Sequence, residues 1–581
     1  MGRGPSLARE SSHSVIPKFQ EPFLSPGIET LPTPVKVDNL ELMLSTYDPI
    51  LRNGLVSGFR NGFDIGFRGQ VNSDSKVNNL RSTNGLYSVV TEALEKEVQA
   101  GRIAGPFSAP PFGSFQLNPI GMVPKKEKNK YRMIFDLSYP PGSAINDSID
   151  DSFARVQYAS MSDAISALLA CGKGAYMAKT DIVKAFRLIP IAPSQYHLLC
   201  VKWDGVYYYD KTLTMGCRSS CRIFQSLSDA LRFIAMSRGI EFLINYLDDF
   251  LIVASTKLGC LQALREFRAM CVFLGIPLAL EKTFLPDQIM IFLGLEYDSI
   301  EEVVRLPVDK LVRCKEGLAW LLGEAVRPAW ISQSHNNESG KVCDRQGTAG
   351  PARSVVRLSE LQSVLGLLSF ACTVVVPGRA FLRRLFALTI GIKKPFYFVK
   401  ITEAAKADLR VWQTFLHNYN GVTWYRNELF LSEQVCHFYT DACKSLGCGA
   451  WFGKFWFSIP WPSQWWIDQT ITFLELVPIV LALEAWGDMM RNQCAIIHSD
   501  NLALVHVINS QSSKETLVMS FIRRLVLKAL SFNVLIKAVH VSGIHNTRAD
   551  LLSRLQVPRF LELHPSANKV ATSISLPHST N

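Results

Sequence analysis

Two adjacent aspartates, Asp248 and Asp249, interrupt an apolar run in the segment INYLDDFLIVA, residues 244–254. The residues on both sides favour β-structure, and an apolar run that pauses for two carboxylates predicts a hairpin with the acids at its turn. A bare pair of aspartates is most often an ordinary surface turn. The hydrophobic strands on both sides and the preceding Tyr246 favour a functional pair instead.

A third aspartate occupies a comparable position upstream, in AYMAKTDIVKAFRLIPI, residues 175–191. Asp181 follows a strand-like stretch and precedes an aromatic residue, Phe186. Phosphoryl transfer to a 3′-hydroxyl uses two magnesium ions about 4 Å apart, held by carboxylates from separate strands. Asp181 and Asp248 are therefore candidate metal ligands, with Asp249 in support.

Composition and charge limit the class of protein and its partners. The chain has 581 residues, of which 48% are hydrophobic, and this length corresponds to about three to five domains with packed cores. The net charge of +11 and the pI of about 9.0 fit a polyanionic partner, although many soluble proteins share such values.

The thirteen cysteines form no CxxC pair or zinc-finger spacing, which favours buried thiols in a reducing compartment. The start of the chain lacks the apolar core of a signal peptide, and the longest apolar run, 364–376, is too short to cross a bilayer. We therefore expect an intracellular protein of the cytoplasm or nucleus, with no membrane partner.

Local patterns predict an α+β multidomain chain. Residues 327–354 are polar and turn-rich between two helical segments, and we interpret them as a surface insertion. The predicted order is an N-terminal extension that is partly disordered (1–85), a first α+β unit (86–300), a connecting region with the insertion (301–430), a second α+β unit (431–556) and a C-terminal tail (557–581).

Five ordered motifs in the first unit resemble the palm of reverse transcriptases. They are NPIGMVPKKEKNKYRMIFDLS, the Asp181 strand, YYYDKTLTMGCRSSCRIFQ, YLDD and IFLGLEYD. The resemblance implies a right-hand polymerase with fingers and palm in 86–300 and a thumb or connection in 301–430. It also implies that Asp181, Asp248 and Asp249 are the catalytic, metal-binding acids.

The resemblance further implies which residues bind the substrates. Phe186 matches the aromatic residue that favours dNTPs over rNTPs, and Lys125 and Arg132 match cations that contact the triphosphate. Met215, in Leu213-Thr214-Met215-Gly216, stands where retroviral enzymes carry a glutamine, and its side chain cannot donate the hydrogen bonds that glutamine offers. Residues 292–294 match the primer grip, although a buried turn explains them nearly as well.

The second unit carries four acids: Asp441 at the end of the strand HFYTD, Glu475 on a long helix, Asp500 at the end of the strand CAIIHSD, and Asp550 at the start of the last helix. With the motifs TDA, SDN and HNTRADLLSRL, their order resembles the ribonuclease H domain of retroelements. The resemblance implies that all four bind two metal ions and catalyse cleavage of RNA paired to DNA. His540 and His545 lie near the position of a histidine that assists product release in retroviral enzymes.

The two resemblances together predict an RNA-directed DNA polymerase with ribonuclease H activity. The expected cofactor is Mg²⁺, two per active site, with Mn²⁺ as an alternative. The expected partners are an RNA template, a DNA primer, RNA–DNA hybrid and dNTPs. A catalytically inactive nucleic-acid-binding relic and a protein with nuclease activity alone remain alternatives.

The region VLGLLSFACTVVVPGRAFLRRLFALT and the motif HVSGIHNTRADLLSRLQ resemble the pol proteins of DIRS-like and Ngaro-like retrotransposons, with Ty3-like elements as the nearest competitor. The chain lacks an Asp-Thr/Ser-Gly protease motif, an HHCC zinc module and a tyrosine-recombinase signature. We therefore expect a separate recombinase or integrase and a Gag-like protein.

Overall fold

The computed structural model describes residues 31–71, 77–125, 129–333, 355–418, 423–424, 435–574 and 576. The first 30 residues of the expected extension, and residues 334–354 of the expected insertion, lie outside these ranges. The chain divides into two compact units, Met1–Leu293 and Gly294–Asn581. We describe each unit by itself.

Unit 1 combines helices with short antiparallel sheets. Its helices are α1 (Val37–Met43), α2 (Pro49–Asn61), α3 (Tyr87–Gln99), α4 (Met161–Cys171), α5 (Ser220–Ser237) and α6 (Lys257–Leu274). Its strands are β1 (Ile103–Phe107), β2 (Ile120–Pro124), β3 (Tyr131–Phe135), β4 (Tyr176–Asp181), β5 (Cys200–Trp203), β6 (Val206–Asp210), β7 (Phe242–Tyr246), β8 (Asp249–Ala254), β9 (Phe284–Asp287) and β10 (Ile289–Phe292).

The sheet that carries Asp181 and Asp249 has the strand order β7-β8-β4-β9. All three of its strand pairs are antiparallel. The middle residues of β8 are buried on both faces of the sheet, which explains the unbroken apolar run after Asp249. Two smaller sheets, β1-β6-β5 and β2-β3, complete the strands paired within this unit.

The described part of the N-terminal extension is folded, and its helices belong to the core of unit 1. Leu40 of α1 and Phe59 of α2 lie in the same buried cluster as Leu274 at the end of α6. The backbone N–H of Lys36 donates to the carbonyl of Leu274 at 2.9 Å. Asp48 caps α2 by accepting from two backbone N–H groups of its first turn, as an N-cap aspartate commonly does.

Unit 2 begins with small elements and continues into a larger sheet. Its helices are α7 (Val308–Leu322), α8 (Ala329–Gln333), α9 (Leu358–Ala371), α10 (Arg383–Ala387), α11 (Glu403–Asn418), α12 (Gln464–Ile467), α13 (Ile471–Trp486), α14 (Leu502–Ser510), α15 (Thr516–Ser531), α16 (Thr547–Ser553) and α17 (Val557–Leu563). Its strands are β11 (Leu295–Asp298), β12 (Val303–Arg305), β13 (Val355–Arg357), β14 (Phe398–Lys400), β15 (Thr423–Trp424), β16 (Cys436–Cys443), β17 (Gly447–Phe452), β18 (Phe455–Pro460), β19 (Cys494–Ser499) and β20 (Leu535–His540).

The five-stranded sheet of unit 2 has the order β18-β17-β16-β19-β20. The pairs from β16 to β18 are antiparallel, whereas β19 runs parallel to both β16 and β20. Helix α13 is buried along all of residues 473–483, as expected for a helix that is apolar on every side. Glu475 is the single charged residue in that buried stretch.

For residues 557–574, the structure corrects the expectation that 557–581 form a tail. Helix α17 follows directly after 556, and its Phe560 is fully buried against Trp456 and Leu552. The indole N–H of Trp456 donates to the carbonyl of Asn568 at 2.7 Å. Residues 557–574 therefore belong to the packed unit.

Two expectations about composition can be compared with the described residues. The cysteines that the structure describes are free thiols, and most of them are buried. Among the described helices, none combines the length and the apolar character that crossing a lipid bilayer requires.

Candidate active sites

The predicted hairpin is present, and it brings the first three acids to one end of a sheet. Tyr246 pairs with Asp249 as the last pair of β7 and β8, and Asp248 lies in the turn. Asp181, the last residue of β4, pairs with Asp249. The backbone N–H of Ile182 donates to the carbonyl of Asp248 at 2.9 Å, so the ends of the two strands are joined beyond the ladder.

The turn contains a leucine in a left-handed backbone conformation. Leu247 has φ 52°, which costs a residue with a Cβ about 1–2 kcal/mol. Two side chains of α5 hold it, because Ser228 Oγ donates to the Leu247 carbonyl at 2.6 Å and Gln225 Oε1 accepts from its N–H at 3.1 Å. Asn245 Nδ2 donates to Ser228 Oγ at 3.0 Å and to Asp229 at 2.8 Å. A polar network on α5 thus fixes the turn that carries Asp248.

The three acids share a crowded electrostatic environment. Burial, together with the charge of Asp181, raises the pKa of Asp248 above its ordinary value. Burial also raises the pKa of Asp249, and the ion pair between Asp249 Oδ2 and Lys179 Nζ at 2.9 Å opposes that rise. Lys282 Nζ lies 2.9 Å from both carboxylate oxygens of Asp181. Neither lysine was predicted from the sequence, because both pairs are long-range contacts.

One cavity of about 680 Å³ in unit 1 collects most of the predicted polymerase residues. The predicted residues among its lining are Lys125, Arg132, Asp181, Phe186, Met215 and Asp248. Asp249 is not part of the lining, since it points from β8 toward Lys179. The ring of Phe186 packs edge-to-face against Phe224, with 5.7 Å between centroids.

A buried ion network forms one wall of this cavity. Arg187 lies between Glu97 and Asp210, with 2.6 Å between its Nη1 and Asp210 Oδ2. Burial acts to raise the pKa of Glu97, but the hydrogen bond from Arg102 and the charge of Arg187 outweigh it, and the pKa falls to about 2. This ion network therefore links α3, which carries Glu97, to the end of β6, which carries Asp210.

The predicted primer-grip residues occupy a tight turn. Phe292 is buried, and Leu293 and Gly294 both have left-handed backbones, with φ 49° and 74°. The carbonyl of Gly294 accepts a hydrogen bond from Lys310 Nζ at 2.9 Å. Both the primer-grip interpretation and the buried-turn interpretation agree with this geometry.

The second group of acids is placed by four elements of unit 2. Asp441 lies in β16 and Glu475 in α13, while Asp500 directly follows β19 and Asp550 is the fourth residue of α16. Asp441 does not end its strand as the sequence predicted. The strand continues to Cys443, because β17 pairs with β16 as far as that residue.

Glu475 is the most strongly perturbed of these acids. Burial, followed by the charges of Asp500 and Asp441, raises its pKa to about 8. Ser499 Oγ donates to Glu475 Oε2 at 3.3 Å and only partly offsets this effect. The carboxyl group therefore lies close enough to two others for the charges to act on one another.

Asp441 is perturbed for the same reasons. Burial raises its pKa to about 6, the hydrogen bond from Ser553 opposes the rise, and the charges of Asp500 and Asp550 add to it. Arg554 Nε donates to Asp550 Oδ1 at 2.7 Å. Ser553 was not predicted, although its position three residues after Asp550 places it on the same helical face.

The two candidate histidines lie in different elements of unit 2. His540 is the last residue of β20 and pairs with Ser499, one residue before Asp500. His545 ends a short 3₁₀ turn at Gly543–His545. Both side chains are exposed.

Neither acidic group is assembled as a ready metal site in this structure. Within the described ranges, no three or more His, Cys, Asp or Glu side chains are arranged so that they could hold a metal ion. In the first group, Lys282 and Lys179 occupy carboxylate oxygens of Asp181 and Asp249. In the second, Arg554 occupies an oxygen of Asp550.

Comparison with known protein families finds a match in the middle of the chain. Residues 123–297 match the family model described as reverse transcriptase (RNA-dependent DNA polymerase). The matched range runs from β2 to β11 and includes the YLDD turn. The chain therefore contains a reverse transcriptase domain, although the match covers less than half of its length.

Whole-chain comparisons add three solved structures, each 15% identical to this chain. Foamy viral protease-reverse transcriptase dRH with ds DNA gives a TM-score of 0.46 and covers 89% of this chain and 84% of its own. The same kind of protein with RNA/DNA hybrid gives 0.47, with 87% and 63% covered. With dsDNA it gives 0.43, with 87% and 98% covered. No curated protein sequence matches the chain.

Proposed function

We propose that this chain copies RNA into DNA with its reverse transcriptase domain and degrades the copied RNA with a ribonuclease H domain in 431–556. The observation that carries the polymerase half is the cavity in unit 1. It places two cations, an aromatic ring and two acids around one space inside the range that matches the family.

Different residues of the cavity contact different parts of the bound nucleotide. Lys125 and Arg132 pair with the triphosphate, because both carry fixed positive charge on the β2–β3 side of the cavity. Phe186 lies against the sugar and favours a deoxyribonucleotide. Met215 contributes apolar contact where a hydrogen-bonding side chain would add a directed bond.

Magnesium fits the donor set of the first group. Asp181, Asp248 and Asp249 offer hard oxygen ligands, and one oxygen of Asp249 is buried without a hydrogen-bond partner in the described structure. A bound pair of ions would stabilise the attacking and leaving oxygens of the transfer. Lys282 must move from Asp181 for that carboxylate to become a ligand, since it now contacts both oxygens.

The second group suits the same ion. Asp441, Glu475, Asp500 and Asp550 are the four ligands of the proposed nuclease site. The pKa values of Asp441 and Glu475 are raised first by burial and then by the charges of the neighbouring carboxylates, and a bound cation would offset both effects. His545 assists product release in this proposal, and a loop histidine with no such role is the alternative.

Primer extension tests the polymerase proposal. The full chain, with Mg²⁺, dNTPs and a DNA primer on an RNA template, is compared with Asp248→Ala and with Asp287→Asn, an exposed acid at the end of β9. We expect extension by the wild type and the control and its loss in Asp248→Ala. If Asp248→Ala extended the primer as well as the control does, the placement of the metal site at Asp248 would be refuted.

Cleavage of the RNA strand of a hybrid tests the nuclease proposal. We expect Asp500→Asn to abolish cleavage, while Asp488→Asn, an exposed acid after α13, cleaves normally. Cleavage without primer extension would support a nuclease alone. Binding of the hybrid without either reaction would support an inactive relic. Replacing Mg²⁺ by Mn²⁺ measures the choice of ion.

The origin of the chain is part of the proposal. The amino-acid sequences of its motifs support an origin in a DIRS-like or Ngaro-like retrotransposon. In this proposal the chain acts in the cytoplasm or nucleus, with a separate recombinase or integrase and a Gag-like protein. Sequencing the DNA around the gene tests this, because a neighbouring tyrosine-recombinase frame is expected. An integrase frame with flanking long terminal repeats would favour the Ty3-like alternative.

A further inference from the structure

A run of six exposed residues in unit 2 combines aromatic rings with lysines. Residues 393–398 read KKPFYF, and all six are exposed. The exposed fractions of the aromatic residues are 49% for Phe396, 47% for Tyr397 and 67% for Phe398. Three adjacent exposed rings are unusual on the surface of a soluble protein and mark interaction sites more often than chance would.

The backbone holds these rings on a rigid support. The N–H groups of Leu358 and Ser359, at the start of α9, donate to the carbonyls of Tyr397 and Pro395 at 2.8 and 2.9 Å. Strand β14 then pairs with β13, with Arg357 opposite Phe398. The inner faces of both strands are buried, so the outward side chains stay on one surface.

The surface around the rings is strongly basic. We call it the aromatic ribbon, and its members are Arg357, Lys393, Lys394, Phe396, Tyr397, Phe398 and Lys400. Residues 357–402 contain seven basic residues and one acid, Glu360, whose carboxylate pairs with Arg327 and accepts from the backbone N–H of Arg357. Lys394 Nζ lies 5.8 Å from the ring centre of Phe396 and 5.7 Å from that of Tyr397. In the part of the chain that the structure describes, the cations of the ribbon pair with no carboxylate.

Charge and ring chemistry together select the occupant. Fixed cations attract a phosphate backbone, and exposed rings stack with bases that are not already stacked in a duplex. We infer that the aromatic ribbon is a binding site for single-stranded nucleic acid. This inference rests on the proposed function, since it gives the polymerase a second contact with an unpaired strand outside the cavity of unit 1.

Fluorescence anisotropy with the full chain tests the inference. The probe is a labelled single-stranded 20-mer of uridine, compared with a blunt duplex of equal length. Tyr397→Leu combined with Phe398→Leu removes two stacking rings and keeps apolar bulk. We expect single-strand binding to weaken about tenfold or more, because each stacked base contributes roughly 1–3 kcal/mol. Duplex binding should change less than twofold.

A charge variant separates stacking from attraction. Lys393→Gln combined with Lys394→Gln should lower the slope of log affinity against log salt by about 0.7 for each lost phosphate contact. The ring variant should leave this slope unchanged. Phe273→Leu, an exposed phenylalanine in α6, and Lys257→Gln, an exposed lysine of the same helix, are the matched controls.

The outcomes discriminate between occupants. Wild-type binding by the ring variant, or an equal loss for single strand and duplex, would overturn the inference. A shift from dimer to monomer by light scattering would assign the surface to a second copy, and loss of binding to anionic vesicles alone would assign it to a membrane. Asp248→Ala should bind the single strand normally, so failure of the polymerase proposal and failure of this inference give different results.

Discussion

Replacing Glu475 by glutamine tests whether the second acidic group is under electrostatic stress without metal. The folded chain raises the pKa of Glu475 from 4.5 to about 8, so the neutral carboxyl is the favoured form. The contribution of the neutral Glu475 to the free energy of unfolding is fully present below pH 4.5 and is lost as the pH rises through 8. Glu475→Gln keeps the size of the side chain and removes the ionisation.

The magnitude follows from the two pKa values. The gap between 4.5 and about 8 corresponds to roughly 5 kcal/mol at most, since each pH unit is worth about 1.4 kcal/mol. Local relaxation and entry of water reduce that figure, and we expect about 2 kcal/mol at pH 8.5. This equals a change of about 30-fold in an opening equilibrium. At pH 5 the expected difference is below about 1 kcal/mol.

Hydrogen exchange measured by mass spectrometry on peptides of β16, α13 and β19 provides the assay, because exchange reports local opening free energies. With EDTA at pH 8.5, Glu475→Gln should exchange about 30-fold more slowly than the wild type. Added Mg²⁺ should slow the wild type and leave the variant unchanged. Glu484→Gln is the control on the same helix, since Glu484 is paired with Arg524 at 2.6 Å. Equal protection of wild type and Glu475→Gln at both pH values would refute the reasoning.

Three further substitutions test other features. Ser228→Ala removes the hydrogen bond to the Leu247 carbonyl, which is worth about 1 kcal/mol. It should lower kcat for primer extension about three- to tenfold and leave KM for dNTP unchanged, whereas an equal rise in KM would contradict a positioning role. Phe560→Ala should destabilise its unit by about 3–5 kcal/mol, seen as faster exchange in β18, whereas unchanged exchange would restore the view of a loose tail. Arg187→Met leaves the buried carboxylate of Asp210 without its ion-pair partner, whereas Glu97 keeps Arg102 and Lys184, and it should cost about 3–5 kcal/mol by exchange in β6. Arg187→Met with Asp210→Asn should recover part of that loss, and no recovery would mean that the charge of Asp210 is not the cause.

The sequence predicted features that depend on local pattern. The hairpin around Asp248 was predicted because its apolar strands and its acidic turn are consecutive in the chain. The strand or helix of Asp441, Glu475, Asp500 and Asp550 was predicted for the same reason, with an error of two residues at the end of the strand of Asp441. The domain limits and the roles of all these residues remain predictions.

Features that depend on long-range packing could not be predicted. Leucine disfavours a left-handed backbone, so nothing in YLDD indicates φ 52° at Leu247; two residues of α5, about twenty positions away, make it tolerable. The contact between Lys282 and Asp181 spans 101 residues and leaves no periodic signal. Helix α17 was missed because its seven residues are too few to show a helical period, and its Phe560 is buried by packing against Trp456 on a distant strand.

The packing of α1 and α2 onto α6 has a consequence for biosynthesis. Leu40 leaves the ribosome more than 230 residues before Leu274, its neighbour in the core cluster. At about 5–20 residues per second, roughly 10–50 s pass between the two events. During that interval the apolar faces of the first helices have no partner from α6. The first part of unit 1 to be synthesised is therefore among the last to complete its packing, and a chaperone that holds it in the meantime would act before any polymerase fold exists.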